Sequence, residues 1–201
     1  MAEWVALGDR AIRFARPAGV PARSLLRAAR AWPGAVDVVV ARDDVAVYFA
    51  GPPAPGNRAG LPTPGDLAAL AALPPDPDPV RDVELVATYG GEDLDEVARV
   101  TGLSTAEVIE RHLRAVYTVD TIGFRPGFAY LGGLDPALVV PRRASPRPRV
   151  PAGALAIADI YTAVYPSESP GGWNLIGHVA EPMFTAAGAR LSLGDRVRFV
   201  R

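Results

Sequence analysis

The side chains best suited to binding anions lie in one basic segment, PRRASPRPRVPAG, residues 141–153. Prolines hold its backbone extended, so its guanidinium groups project in fixed directions, and guanidinium binds carboxylate or phosphate in a bidentate manner. The alternative is a solvated loop whose arginines pair with nearby acids. The four arginines of the segment are Arg142, Arg143, Arg147 and Arg149.

The chain contains two histidines, His112 and His178. Helical spacing places His112 in a row with Val108 and Val116, on the apolar face of a predicted helix. It is either a core histidine or a general acid/base that enters a pocket from that helix. The facing of His178 in the run NLIGHV stays open. Two distant histidines without cysteine are a poor ligand set, so we expect no bound transition metal.

A Gly-Gly pair precedes a tryptophan in the segment YPSESPGGWNLIG, residues 165–177. Glycine is favoured where a chain turns sharply or where its backbone approaches another group closely. Gly171 and Gly172 therefore form either a corner turn of a barrel or the wall of a pocket, with Trp173 packed behind them.

The composition excludes several kinds of chemistry. The 201 residues are 49% hydrophobic and carry a net charge of −1, enough for one large or two small domains and without indication of a nucleic-acid or membrane partner. The chain has no cysteine and no lysine, which excludes disulfides, thiolate nucleophiles and Schiff-base chemistry. The N-terminus does not resemble a signal peptide, so we expect a cytoplasmic location.

The first part of the chain alternates strand and helix patterns. We predict strands at 9–15, 36–41, 45–50 and 82–89, a helix after Pro21, and a helix at 66–73 with Asp66 as its cap. The Pro/Gly-rich stretch 51–65 and the linker PPDPDP (74–79) connect them. This β-α-β-β-α-β order is that of ferredoxin-like domains, so we place a first domain at 1–89.

The second part, residues 90–201, begins with two predicted helices and continues as short strands. Asp93 with Glu96, and Ser104 with Glu107, have the spacing of capping boxes. From residue 117 onward, short apolar runs are separated by Pro and Gly, which indicates a β-barrel or sandwich. The fold class is therefore α+β. The chain lacks G-x-S-x-G, Walker A, G-x-G-x-x-G and H-E-x-x-H motifs, so it is not a complete hydrolase, ATPase or dehydrogenase by itself.

Several segments together resemble a known family. GFRPGFAYLGGLDP (123–136), PRRASPRPRVPAG and YPSESPGGWNLIG resemble, in the same order, the allophanate hydrolase subunit 1 family. That family includes the B-type component of 5-oxoprolinase and a Kip-type inhibitor of a sporulation kinase, and the carboxyltransferase part of urea carboxylase is related. The resemblance covers nearly the whole chain.

The resemblance implies a C-terminal cyclophilin-like β-barrel after the α+β domain. It also implies a protein that is inactive alone and that works with two further 5-oxoprolinase components, a homologous C-type protein and an A-type protein. That complex opens 5-oxoproline, a small carboxylate, to glutamate, with ATP as co-substrate and no tightly bound cofactor. The alternatives are an allophanate hydrolase or urea carboxylase-like protein, or a histidine-kinase inhibitor without catalysis.

The resemblance further implies a set of site residues. His112 takes the catalytic role. The residues expected to bind substrate are Pro126, Gly127, Phe128, Tyr130, Arg147, Arg149, Ser169, Gly171, Gly172, Trp173 and His178.

The chain also departs from the family pattern. The family commonly has Gly-Gly-Gln-Thr where this chain has Asp159, Ile160, Tyr161 and Thr162, and the family arginine of the I-G-R-T segment is His178 here. If that glutamine and arginine contact substrate, this chain binds something else or has lost the activity.

Overall fold

The computed structural model describes residues 3–51, 61–76 and 79–201. The predicted loop 51–65 lies largely outside these residues, as do two positions of the linker 74–79. The chain divides into two compact units, Met1–Pro79 and Val80–Arg201.

The first unit is a four-stranded antiparallel sheet with two helices. Its sheet has the order β1-β2-β4-β3. Its elements in chain order are β1 (Trp4–Ala6), β2 (Ala11–Ala15), α1 (Ala22–Arg30), β3 (Ala35–Val40), β4 (Asp44–Phe49) and α2 (Pro64–Leu70).

Alternation of apolar and polar residues along the strands explains this packing. Ile12 and Phe14 on β2 and Val45 and Val47 on β4 are buried on one side of the sheet, as expected for strands with one covered face. Leu25 of α1 is fully buried as well. These side chains supply the core of the unit.

The start of α2 corrects one expectation. Thr63 is its N-cap, and Asp66 stands three residues further on, where its carboxylate accepts a hydrogen bond from the Thr63 backbone at 2.7 Å. The two residues form a reciprocal capping box. The predicted cap, Asp66, is therefore the second partner of the box, because Thr63 and Pro64 start the helix two residues earlier.

The second unit contains a closed barrel, helices and two short ribbons. The barrel order is β10-β7-β6-β15-β5-β12-β9, and the ribbons are β8-β11 and β13-β14. The elements before the first ribbon are β5 (Asp82–Tyr89), α3 (Leu94–Thr101), α4 (Thr105–Arg114), β6 (Tyr117–Ile122), β7 (Ala129–Gly132) and a 3₁₀ turn (Pro136–Leu138). The remaining strands are β8 (Arg147–Val150), β9 (Ala154–Ala158), β10 (Tyr161–Val164), β11 (Ser169–Gly171), β12 (Asn174–Val179), β13 (Phe184–Thr185), β14 (Gly188–Ala189) and β15 (Arg196–Val200).

The α+β class and the C-terminal barrel are confirmed, but the strand at 82–89 does not complete a ferredoxin-like sheet. β5 lies between β15 and β12 in the barrel, where its side chains Leu85 and Ala87 join the barrel core. The edge beside β2 is occupied by β1 instead. The boundary between the units therefore falls at Pro79, ten residues before the predicted end of the first domain at 89.

The strands of the barrel bury both faces where other elements cover them. On β9, Leu155 and Ile157 belong to one core cluster, together with residues of α3 and α4. Ala154, Ala156 and Ala158, which alternate with them, belong to a second cluster that is rich in aromatic rings. Small side chains on the second face leave room for those rings close to the strand.

The helices of the second unit follow their sequence signals in part. Ser104 and Glu107 form the predicted capping box of α4, and Gly102 ends α3 in the left-handed conformation with φ of 71°. No helix in the described part of the chain is long and apolar enough to cross a bilayer.

The barrel closes through β15, which pairs in parallel with β5 and antiparallel with β6. Two ion pairs join the starts of β5 and β15. Arg81 Nε donates to Asp195 Oδ1 at 3.0 Å, and Asp195 is 1% exposed. Arg196 donates to both carboxylate oxygens of Asp82, at 2.7 and 2.8 Å, on the surface.

We expect Asp195→Asn to lower the free energy of unfolding by about 2 kcal/mol, because the buried carboxylate, whose side chain is 2% exposed, loses charged hydrogen bonds from the half-exposed Arg81 and from the backbone of Ser192. Asp82→Asn is the matched control. Both side chains of its pair are more than half exposed, at 55% and 61%, so we expect little change. Urea denaturation of both variants measures the difference, and equal losses would contradict the role assigned to the buried carboxylate of Asp195.

Candidate functional site

A single buried carboxylate, Asp93, connects three parts of the second unit. Asp93 is 3% exposed and precedes α3. Its Oδ1 accepts hydrogen bonds from Arg143 Nη1 and, at 2.8 Å, from Arg147 Nη2. Its Oδ2 accepts the backbone N–H of Leu175 on β12 at 2.7 Å. The carboxylate therefore holds two arginines of the basic segment against the helix and the barrel.

Asp93 was expected to form a capping box with Glu96, and this expectation is wrong. Its side chain makes no capping hydrogen bond, because both oxygens are taken by partners distant in sequence. Burial by itself raises the pKa of Asp93. The hydrogen bonds from Arg147 and Leu175 and the charges of Arg147 and Arg143 outweigh burial and hold the pKa below its usual value.

Three polar atoms close to this carboxylate or to its arginines have no hydrogen-bond partner among the described residues. They are Arg143 Nε, Arg147 Nη1 and Ser169 Oγ, all buried. Arg147 and Ser169 lie on the ribbon of β8 and β11, where Arg147 pairs with Gly171 and Ser169 with Val150. Buried donors are almost always satisfied, so these three atoms require a partner from outside the chain, such as an ordered water or a ligand.

Five aromatic side chains form what we call the aromatic layer. The rings of Phe128 and Tyr130 are 5.0 Å apart, those of Phe128 and Trp173 5.6 Å, and those of Tyr130 and Trp173 5.6 Å. Tyr165 packs on Phe128 at 5.3 Å, and Tyr161 on Tyr130 at 5.7 Å. All contacts are edge-to-face, the favoured geometry for aromatic pairs. Burial raises the pKa of the Tyr130 phenol, which keeps it a hydrogen-bond donor.

The Gly-Gly pair serves this layer. A Cβ on Gly171 would lie 2.3 Å from the hydroxyl oxygen of Tyr165, so only glycine permits the contact between the ribbon and the ring. Gly172 accepts the backbone N–H of Arg143 at 2.8 Å. Gly171 thus approaches the protein's own tyrosine, and Trp173 packs in the same layer. The interpretation of the Gly-Gly pair as the wall of a ligand pocket stays a prediction.

The structure thus brings together six predicted residues by ring contact or strand pairing. They are Phe128, Tyr130, Arg147, Ser169, Gly171 and Trp173. The ribbon reaches the layer through the contact of Gly171 with Tyr165.

The other predicted residues lie elsewhere. Arg149 is 81% exposed, 4.0 Å from Glu168. Pro126 is exposed, and a Cβ on Gly127 would meet Met183 O at 2.8 Å. His178 is an exposed residue of β12 directly opposite Thr88, where its ring approaches Gly153.

His112 lies in the core, and its pocket-facing interpretation is corrected. The residue is 0% exposed, and its ring packs on Phe199 at 4.8 Å and on Tyr117 at 5.2 Å. The sequence could not distinguish the two interpretations, because a core histidine and a pocket histidine occupy the same apolar helix face.

Hydrogen bonds fix the tautomer of His112. Thr162 donates its hydroxyl proton to Ala156 O at 3.0 Å, so its oxygen accepts from His112 Nε2–H at 2.9 Å. Nδ1 is then the acceptor of the Tyr89 hydroxyl at 2.8 Å. Burial lowers the pKa of His112 to about 3, so the ring is neutral at physiological pH.

The departures from the family pattern have visible structural roles. Asp159, at a family glycine position, has φ of 51°, a left-handed conformation that aspartate tolerates better than most residues. Tyr161, at the glutamine position, belongs to the aromatic layer and donates to Asp120 Oδ2 at 2.8 Å. A phenol thus occupies the place of an amide.

Sequence reasoning missed Asp93, Tyr161 and Tyr165 as members of this site. A signal for Asp93 was present, since a carboxylate at a helix start and a separate arginine-rich segment are natural partners. Within the described ranges there is no cluster of three or more His, Asp or Glu side chains suited to hold a metal ion.

Known proteins resemble this chain in sequence and in fold. The B-type component of 5-oxoprolinase from Bacillus subtilis (strain 168) is 46% identical over 127 residues, which cover 60% of this chain and 53% of that protein. The chain thus spans about half the length of that relative. The crystal structure of TTHA0988 has a TM-score of 0.74 and 37% identity, covering 95% of this chain and 39% of that one.

A more distant structure shares the fold alone. The K. lactis urea amidolyase has a TM-score of 0.71 at 17% identity, covering 99% of this chain and 15% of that one.

A model of the carboxyltransferase domain, subdomain C and D, matches residues 7–193. Since that match covers most of the chain, including the arginine segment, this chain belongs to the carboxyltransferase domain, subdomain C and D, family.

Proposed function

We propose that this chain is the B-type component of an ATP-dependent 5-oxoprolinase, acting with a homologous C-type protein and an A-type protein. The observation that carries the proposal is the 46% identity to a protein named as the B-type component of 5-oxoprolinase. The reaction converts 5-oxoproline, ATP and water to glutamate, ADP and phosphate.

The site chemistry is compatible with a small carboxylate substrate. Arg147 Nη1 and Ser169 Oγ are buried donors of the same ribbon without a partner among the described residues, and a carboxylate is a suitable acceptor for either. Asp93 fixes Arg147 through its other terminal nitrogen, so the donor is held in place before substrate arrives. The aromatic layer supplies an apolar wall beside the ribbon.

The chemical steps require more than this chain offers. A cyclic amide is stabilised by resonance, so opening it near neutral pH is helped by phosphorylation of the amide oxygen, and the sequence has no Walker A loop for ATP. His112 is fully buried in the core, where its two hydrogen bonds hold Tyr89 on β5 and Thr162 on β10 in position. We therefore assign ATP binding and proton transfer to the assembled complex.

The proposal is tested by mixing the purified chain with its A-type and C-type partners and measuring glutamate. We expect ATP-dependent release of glutamate from 5-oxoproline by the mixture and none by this chain alone. A mixture that assembles but forms no glutamate would refute the proposal. If this chain alone inhibited a cognate histidine kinase, the non-catalytic alternative would replace it.

Arg147 and Arg149 provide a matched pair of variants in the same strand. We expect Arg147→Met to abolish most glutamate release and to lower the free energy of unfolding by about 2 kcal/mol, since Asp93 loses a charged hydrogen bond. Arg149→Met should leave both quantities near wild type, because its side chain is 81% exposed. Equal effects of the two changes on turnover would contradict the site.

The buried imidazole makes a separate prediction about pH. The folded pKa of His112 is lowered from 6.5 to about 3, so between those values the unfolded chain binds the extra proton. The stability contributed by the neutral ring is therefore complete above pH 6.5 and is lost as pH falls toward 3, by up to about 1.4 kcal/mol per pH unit.

Urea unfolding at several pH values between 7 and 4.5 measures this dependence. We expect His112→Gln to be less stable at pH 7 and to show a shallower loss of stability on acidification than wild type. His178→Gln is the control for loss of an exposed histidine and should follow the wild-type profile. If the free energy of unfolding of His112→Gln fell with pH as steeply as that of the wild type, the ring would not titrate as proposed.

A further inference from the structure

A cleft of about 500 Å³ lies between α3 and the segment that follows the 3₁₀ turn. Its walls combine apolar side chains with two arginines of the basic segment. The principal lining residues are Val97, Val100, Val140, Pro141, Arg142 and Arg143. None of the residues that the sequence analysis assigned to the substrate site lines it, so the proposed function leaves this cleft without a role.

The apolar part of the cleft is preformed. Val97 and Val140 are 1% and 3% exposed, so they form a floor that belongs to the barrel core. Asn174 Nδ2 donates to Pro141 O at 2.9 Å and to Ile157 O at 3.3 Å, which ties one wall to β9. A volume of this size is typical of sites for small molecules, and its lining combines apolar residues with an equal number of polar or charged ones.

The polar part of the cleft is cationic. The backbone N–H of Arg143 is bound to Gly172 O, and its Nη1 to Asp93, so the guanidinium has a fixed orientation. The Arg143 side chain is 35% exposed and lines the cleft, so its guanidinium is accessible there. A carboxylate is the partner that a guanidinium binds best.

The acidic side chains near the cleft have partners of their own. Glu96 lines the cleft, but Arg99 binds its two oxygens at 2.6 and 2.8 Å. Asp159 is 3.5 Å from Arg142, and both side chains are substantially exposed, at 46% and 60%. The lining thus contains two guanidinium groups and one carboxylate that Arg99 already binds.

We propose that this cleft binds a small organic carboxylate with an apolar body, whose carboxylate accepts a hydrogen bond from Arg143 and whose body covers Val97, Val100 and Val140. The site is distinct from the ribbon site of Arg147 and Ser169. Binding is a property of this chain without partners, so the proposal stands or fails independently of 5-oxoprolinase activity.

The test is a titration of the ¹⁵N-labelled chain with 3-phenylpropionate and with 3-phenylpropanol, which has the same body and no charge. We expect the carboxylate to bind at least about tenfold more tightly, the effect of one charge-assisted hydrogen bond, and to shift the amide signals of Val97, Val100 and Arg143. Equal affinities, or shifts confined to other residues, would overturn the proposal.

Two variants test the contacts. Arg143→Lys keeps a cation beside Asp93 but removes the planar guanidinium that binds a carboxylate with two donors, so it should weaken 3-phenylpropionate binding about tenfold and leave 3-phenylpropanol binding unchanged. Val100→Glu places a carboxylate in the cleft, at a position that is 50% exposed, where it repels the carboxylate of the ligand. Val116→Glu is its control, because Val116 is similarly exposed, at 42%, and does not line the cleft.

Neither valine change disturbs a buried position, so both variants should fold even if Arg143→Lys does not. We expect Val100→Glu to abolish binding of 3-phenylpropionate and Val116→Glu to retain it. Retained binding in Val100→Glu, or loss in both folded variants, would overturn the assignment to this cleft.

Discussion

The organisation of the second unit depends on the neutralisation of one buried charge. Asp93 cannot remain ionised inside the protein without donors, and it obtains them from Arg143, Arg147 and the backbone of Leu175. These donors come from the basic segment and from β12. The cost of burying the charge therefore requires a proline-rich segment to take a defined position beside α3, and both of the anion sites proposed above use arginines that Asp93 holds in place.

A series of hydrogen bonds also crosses the core of the second unit, and the donor of each bond is defined. Protons are donated from Tyr89 to His112, from His112 to Thr162 and from Thr162 to Ala156. Because the direction of each hydrogen bond in this series is fixed, the series permits a single tautomer of His112 and joins α4 to three strands of the barrel. Such a fully satisfied network gives the core a unique arrangement.

Local signals in the sequence predicted local structure well. The Ser104 capping box, the Gly102 helix end and the alternating strands depend on residues within a few positions of one another. Apart from the cap of α2, which is a local error, the errors concern partners that are distant in sequence. Asp93 binds arginines about fifty residues away instead of capping its helix, and β5 joins the barrel by pairing with β15, far along the chain, which local patterns do not indicate. Of the site, Phe128, Tyr130, Trp173 and Arg147 were predicted from the family resemblance, whereas Tyr161 and Tyr165 were missed. The facing of His112 depends on tertiary packing that periodicity does not contain.

The parallel pairing of β5 with β15 also has a consequence for synthesis on the ribosome. Contacts such as that of Asp82 with Arg196 join residues 114 positions apart, so an emerging chain holds β5 without its neighbour while more than a hundred further residues are translated. During that interval the edges of β5 and β6 are open to pairing with other nascent chains. The charged side chains Glu84 and Asp82 at that edge are suited to discourage such misassembly until β15 arrives.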